Sequence, residues 1–149
     1  MYFVYPVTFE PDTDDGGYIV SFRDVPEALT QGDTEAEALD NAVDALDEAI
    51  AGYIVDGETL PEASAARNGE HLVAVPVQSI LKYFLRDAIA ESGMSKVTLA
   101  HEMGIDEKEV RRILDPHHNT KMRRLEKALA VTGRQPVVDI IDTRLATHG

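Results

Sequence analysis

Residues 5–22, YPVTFEPDTDDGGYIVSF, decide the fold of the amino-terminal half. β-branched and aromatic side chains dominate from Tyr2 to Phe9 and again from Tyr18 to Phe22, a composition that suits a pleated, half-buried surface. Between them, Pro11-Asp-Thr-Asp-Asp-Gly-Gly17 is a turn cluster, so the two runs read as a hairpin. Pro6 brings no donor to a ladder, which predicts an edge position or a bulge for its strand. Ala28–Gly32 (ALTQG) reads as a short third strand. Thr34, followed three residues later by Glu37, is a capping box that starts a helix. Leu39, Ala42, Val43, Leu46, Ala49, Ile50 and Tyr53 form its expected apolar stripe, and Gly57 its stop. His71–Val77 (HLVAVPV) closes the unit, giving the order β-β-β-α-β.

The second half changes period. Gln78–Glu91 carries Ile80, Leu81, Phe84, Leu85, Ala88 and Ile89 at helical spacing and ends at Gly93. Ser95 caps a short helix over Lys96–Met103, Gly104 makes a turn, and Asp106 with Glu109 caps another over Glu107–Leu114. Two short helices about a glycine turn have the signature of a helix-turn-helix, similar to phage-repressor domains of the Xre/Cro type. Thr120 is expected to cap a further helix with Met122, Leu125, Ala128 and Leu129 buried, stopped by Gly133. Pro136–Ile140 reads as a short strand that would pair with its copy in a second chain. The fold class is therefore α+β, with one domain over 1–77 and a second over 78–149.

Charge divides at the same place. Residues 1–72 hold 17 acidic side chains against Arg23 and Arg67, whereas residues 73–149 hold 10 acidic against 12 basic. An acidic half repels nucleic acid and a near-balanced one with basic helices suits it, which points to a binding protein with two different partners. The absence of cysteine excludes disulfides, thiolate metal sites and a cysteine nucleophile. No apolar run reaches the ~18 residues of a membrane span and no signal-like start is present, so a cytoplasmic location is expected.

The first half resembles the HicB antitoxin family. The resemblance rests on YPVTFEPDTDDGGYIVSF from Tyr5, on DVPEALTQGDTEAEALDNAVDAL from Asp24, and on Gly57, Glu58, Pro61 and Ser64 in the pattern Gly-Glu-x-x-Pro-x-x-Ser. In this order, with a helix-turn-helix downstream, these pieces are specific. The resemblance implies a partial RNase H-like domain that binds and silences a small ribonuclease toxin, HicA. It also implies a second domain that represses the shared operon by binding its promoter. Two departures stand out: Arg23 where the family often has proline, and Glu27-Ala28 where Gly-Cys is more usual.

No enzyme is expected. An RNase H nuclease needs carboxylates converging on two metal ions, one of them mid-strand, and the first strand carries none before Glu10. A calcium loop starting at Asp12 would end on Arg23 where a bidentate glutamate is required. His101, His117 and His118 lack the spacing of a metal site, and no metal, cofactor or catalytic residue is assigned.

The candidate sites are binding surfaces. Around the hairpin and the turn after it, Tyr18, Phe22, Asp24 and Pro26 are the candidates for toxin contact. In the second half, burial of Val110, Ile113 and Leu114 leaves Glu107, Lys108, Arg111 and Arg112 outward. Lys108 and Arg112 lead as base readers, with Arg111 and Glu107 next. Lys96, His117, His118, Asn119 and Lys121 are placed for phosphate. Weak binding by one such motif predicts a homodimer, or a homotetramer if the sheet domain adds a contact. The competing reading is a stand-alone regulator whose first domain senses a small ligand, which would require an apolar pocket with convergent polar groups.

Overall fold

A computed structural model describes residues 2–144. They form a mixed α+β protein with one small antiparallel sheet and five helices. They fall into two compact units: residues 2–53, Thr59–Pro76 and 140–144 in one, Ile54–Glu58 and Val77–Asp139 in the other. Residues 145–149, which the sequence reading assigned to the second domain, lie outside the described residues.

The first unit contains β1 (Val4–Pro11), β2 (Tyr18–Ser21), β3 (Leu29–Gly32), all but the last two residues of helix α1 (Glu35–Val55), and β4 (His71–Ala74). The strand order is β3-β2-β1-β4, antiparallel throughout. The hairpin turn is built by Asp12. Its amide donates to the Gly17 carbonyl at 2.9 Å, and its side chain accepts from the amides of Asp14 and Asp15. Gly17 is required on two counts: its φ is +74°, and a Cβ there would sit 2.4 Å from the Gly32 carbonyl oxygen.

The sheet corrects the expectation for Pro6, because β1 is an inner strand with no bulge at that residue in its register. β2 pairs only from Thr8 onward, and residues 4–7 are flanked by β4 alone. The Val75 amide donates to the Phe3 carbonyl, so residues 3, 5 and 7 exchange ladder bonds with β4. The Pro6 nitrogen then points to the side that β2 leaves open, and no bond is lost. β4 ends at Ala74 rather than Val77, because Pro76 cannot donate to a continuing ladder; Val77 instead begins the next helix.

In α1 the Thr34 hydroxyl accepts from the Glu37 amide at 3.1 Å, as a cap should. The buried stripe is Ala38, Ala42, Leu46, Ile50, Ala51 and Ile54, while Leu39 is 43% exposed. Ala42, Leu46 and Ile50 of the expected stripe are thus buried and Val43, Ala49 and Tyr53 half-buried, while Leu39 alone is exposed and Ala38 takes its place. The cause is a close approach: a Cβ on Gly32 would lie 2.4 Å from the Ala38 amide, so the small residue turns toward the sheet. Tyr5, Val7, Val20 and Val73 are buried on one face of that sheet.

The second unit holds α2 (Val77–Ser92), α3 (Lys96–Met103), α4 (Glu107–Leu114) and α5 (Met122–Val131). Leu81, Leu85, Ile113, Leu125, Ala128 and Leu129 form its core, joined through Ile89, Met103, Ile105 and Leu114 to Leu99, Ala100 and Val110. Ser95 accepts from the Thr98 amide at 3.0 Å, and Asp106 from the Glu109 amide at 2.8 Å. Gly104, at φ +68°, ends α3 in the left-handed conformation and lets α4 start three residues later.

Two local expectations fail here. Thr120 does not cap α5: the cap position is Lys121, and the Thr120 hydroxyl accepts from Lys82 Nζ at 2.8 Å. Phe84 and Met122 lie exposed rather than in the core. Within the single chain Pro136–Ile140 is not in a strand; Val137 and Ile140 are 95% and 89% exposed, on the segment expected to pair with its copy in a second chain. No helix among the described residues is long and apolar enough to cross a membrane.

Candidate functional site

In the acidic unit the residues after β2 anchor the loop before β4. The Asp24 carboxylate accepts from the Ser64 amide at 2.7 Å and from its hydroxyl at 2.8 Å. Tyr5 donates its hydroxyl to the Pro61 carbonyl at 2.6 Å. The Arg23 guanidinium forks onto Glu70 at 2.9 and 3.0 Å and reaches the Ala65 carbonyl. A fork onto a carboxylate is the strong form of this contact. The hydrogen bond from Arg23, assisted by the Arg67 amide, holds the Glu70 carboxyl below its ordinary range against the opposing effect of burial.

The four candidates for partner contact separate accordingly. Phe22 is in the core, 1% exposed. Asp24 is committed to Ser64, with little of its side chain exposed. Tyr18 is half-buried beside Phe9, at 6.5 Å between ring centroids, and Pro26 is exposed. Ile19 and Leu29 were not singled out from the sequence, yet both are exposed large apolar side chains on the outer face of the sheet. Strand alternation alone would have flagged them once the buried face was known.

In the second unit α4 turns its charged side outward. Lys108 is exposed, and Arg111 is exposed with Glu107 at 3.6 Å. Arg112 lies against Glu109 in a very close ion pair, and Arg124 of α5 reaches the other Glu109 oxygen at 3.0 Å. Arg124 escaped the sequence reading. Arginines in the first turn of a helix are opposed by its dipole, so the pair Arg123-Arg124 was a signal that an anion lies nearby.

Lys96 is exposed at the start of α3, and His117, Asn119 and Lys121 are exposed in the segment between α4 and α5. The His117 ring lies 3.6 Å from Asp115, whose carboxylate also accepts the His117 amide. His118 is exposed, but its carbonyl is used by Lys82 and Gln78.

Lys82 is the unexpected member. It is fully buried on α2, and its ammonium donates to the carbonyls of Arg112, Asp115 and His118 and to the Thr120 hydroxyl, at 2.5–3.2 Å. Burial lowers its pKa to about 8, with the Asp115 carboxylate opposing the shift.

A family profile described as "HicB_like antitoxin of bacterial toxin-antitoxin system" matches residues 4–84, from β1 into α2. Antitoxin HicB 1 of Photorhabdus laumondii is 42% identical over 136 residues, covering 91% of this chain and 86% of that protein. Antitoxin HicB of Escherichia coli K12 is 39% identical over 131 residues, covering 88% and 94%. Antitoxin HicB of Pseudomonas fluorescens is 30% identical over 138 residues, covering 92% and 94%. The chain belongs to the HicB-like antitoxin family.

Its HicB motif residues are the loop anchors already described: Tyr5, Asp24, Pro61 and Ser64 bond to one another across 40 or more positions. The departures are also accounted for. Arg23 finds Glu70, Glu27 accepts from the Tyr53 hydroxyl at 2.7 Å, and Ala28 fills the core. These relatives are named as antitoxins.

Proposed function

We propose that this HicB-like antitoxin neutralises a cognate HicA-type ribonuclease toxin through its first domain, a partial RNase H-like fold over residues 1–77. Its second domain, residues 78–149, is a helix-turn-helix of the Xre/Cro type that represses the shared operon from its promoter. The observation that carries the reading is similarity to HicB antitoxins over most of the chain, combined with a strongly acidic first half and a near-balanced second half.

A toxin that cleaves mRNA must present a basic surface, and an acidic domain associates with such a surface quickly and covers it. Pro26, Ile19 and Leu29 supply exposed contacts and Tyr18 a half-buried one; Asp24 shapes that unit's surface by holding Ser64, and Phe22 supports it from the core.

α4 enters the major groove, with Lys108 and Arg112 as the first base readers and Arg111 and Glu107 beside them. Glu109 fixes the Arg112 side chain in advance. Lys96, His117, His118, Asn119 and Lys121 meet phosphate. Two copies bind two half-sites as a homodimer, or pair further into a homotetramer, in the cytoplasm. No cofactor is needed for any step.

The test is retardation of the DNA upstream of the chain's own reading frame. The wild-type protein is expected to shift it in preference to unrelated duplex, and the double variant Lys108→Ala, Arg112→Ala to lose that preference. Equal shifts by both proteins would refute the assignment of α4.

A further inference from the structure

We propose that Lys82 is a positioning residue for DNA binding: its buried ammonium ties the last turn of α4 and residues 115–120 to α2, so that operator affinity follows its charge. This rests on the reading of the second unit as the DNA-binding domain. The last carbonyls of a helix have no partner within it, and the negative end of the helix dipole gathers there. At the end of α4, Lys82 answers both needs, bonding the Arg112 and Asp115 carbonyls. From the same nitrogen it takes the His118 carbonyl and the Thr120 hydroxyl. An apolar residue at this place would pack as well but would leave these oxygens without their donor, which is costly in a buried site.

Outside α3, the proposed DNA contacts lie on α4, whose last turn Lys82 holds, and within or directly beside residues 115–120. α4 carries Lys108, Arg111 and Arg112, and the following segment carries His117, His118, Asn119 and Lys121. An ammonium has three protons for the four oxygens. A neutral amine has two, and turns a lone pair toward oxygens that repel it. Loss of the proton therefore releases part of the segment without removing any DNA-contacting side chain.

The charged and titratable groups around Lys82 are few. Asp115 favours its charged form. The His118 ring stands beyond Thr120, with Nδ1 at 3.3 Å from its hydroxyl. On α4, the Arg112 guanidinium is drawn away to Glu109. Burial brings the transition to about pH 8, within a range where DNA duplexes are intact.

The experiment measures binding of the full chain to a labelled duplex of the region upstream of its reading frame. Fluorescence anisotropy is recorded from pH 7 to pH 9 at constant ionic strength. The wild-type affinity is expected to fall about fivefold over this range, most of the roughly tenfold that one unpaired buried acceptor represents. Lys82→Arg, which keeps its charge, should show a flat profile, and Lys82→Met a weak and equally flat one. Asp115→Asn, which preserves the acceptor for the His117 amide, should move the wild-type midpoint to lower pH and serves if the Lys82 variants do not fold. A flat wild-type profile, or the same slope in Lys82→Arg, would overturn the inference while leaving DNA binding in place. Failure of the wild-type chain to bind this duplex at any pH would overturn the DNA-binding reading itself, and this inference with it.

Discussion

Replacing Asp24 by alanine separates a residue that touches a partner from one that builds the surface a partner meets. The carboxylate accepts two hydrogen bonds from Ser64, at 2.7 and 2.8 Å, and its side chain is only 13% exposed. Hydrogen bonds to a charged group contribute about 1.5–3 kcal/mol each. Ser64 is half-buried, so water regains part of this loss. The expected cost is therefore about 2–3 kcal/mol, at the low end for two such bonds. Asp24→Asn keeps an acceptor for the Ser64 amide and should lose about 1 kcal/mol.

In a domain of this size each kcal/mol moves the melting temperature by about 4–8 °C. Thermal melting followed by circular dichroism, with hydrogen exchange read at the Ser64 amide, resolves the series. Asp24→Ala should lose both protection at Ser64 and toxin co-purification, and Asp24→Asn should retain most of each. Melting and Ser64 protection unchanged in Asp24→Ala would refute the anchoring argument. So would loss of the toxin complex by Asp24→Asn with Ser64 protection intact, because Asp24 would then contact the toxin directly.

Three further outcomes follow from the geometry. Gly17→Ala should cost about 3 kcal/mol, since it adds a backbone collision at 2.4 Å to a positive φ, whereas Gly16→Ala, also at positive φ but in open space, should cost only about 1 kcal/mol; urea unfolding compares the two. Glu109→Gln frees Arg112 and Arg124 from their shared anion. Non-specific DNA affinity should rise about threefold while preference for the operator falls, as competition binding would show. Glu70 has a folded pKa below its ordinary value of 4.5, so the folded state binds its proton less readily than the unfolded chain. That stabilisation is complete above pH 4.5 and is lost as the pH falls through the folded value. Melting temperatures taken from pH 6 down to pH 3 should decline more steeply in the wild type than in Glu70→Gln.

Much of the fold was legible because it is written in local chemistry. The hairpin turn of Asp12 and Gly17 and the caps at Thr34, Ser95 and Asp106 each involve residues within five positions of one another. The misses share a different cause. Thr120 has the composition of a cap, but Lys82, 38 positions away, takes its hydroxyl. Leu39 has the spacing of a core residue, but the contact between Gly32 and Ala38 turns it outward. Pro6 argues for an edge strand, and only the lengths of β2 and β4 show why an inner strand tolerates it.

The candidate surfaces divide in the same way. The outward side of α4 follows from helical period, whereas the role of Arg124 and the commitment of Asp24 to Ser64 depend on tertiary contacts that no spacing announces.

Co-expression with the HicA-type toxin proposed as this chain's partner tests the central claim most directly. Growth is followed on induction of that protein alone and with the antitoxin, and the pair is then purified through a tag on one partner. The account predicts restored growth and a stable complex that retains wild-type stoichiometry in Lys108→Ala, Arg112→Ala. Growth arrest that persists beside a folded antitoxin, with no complex recovered, would contradict it.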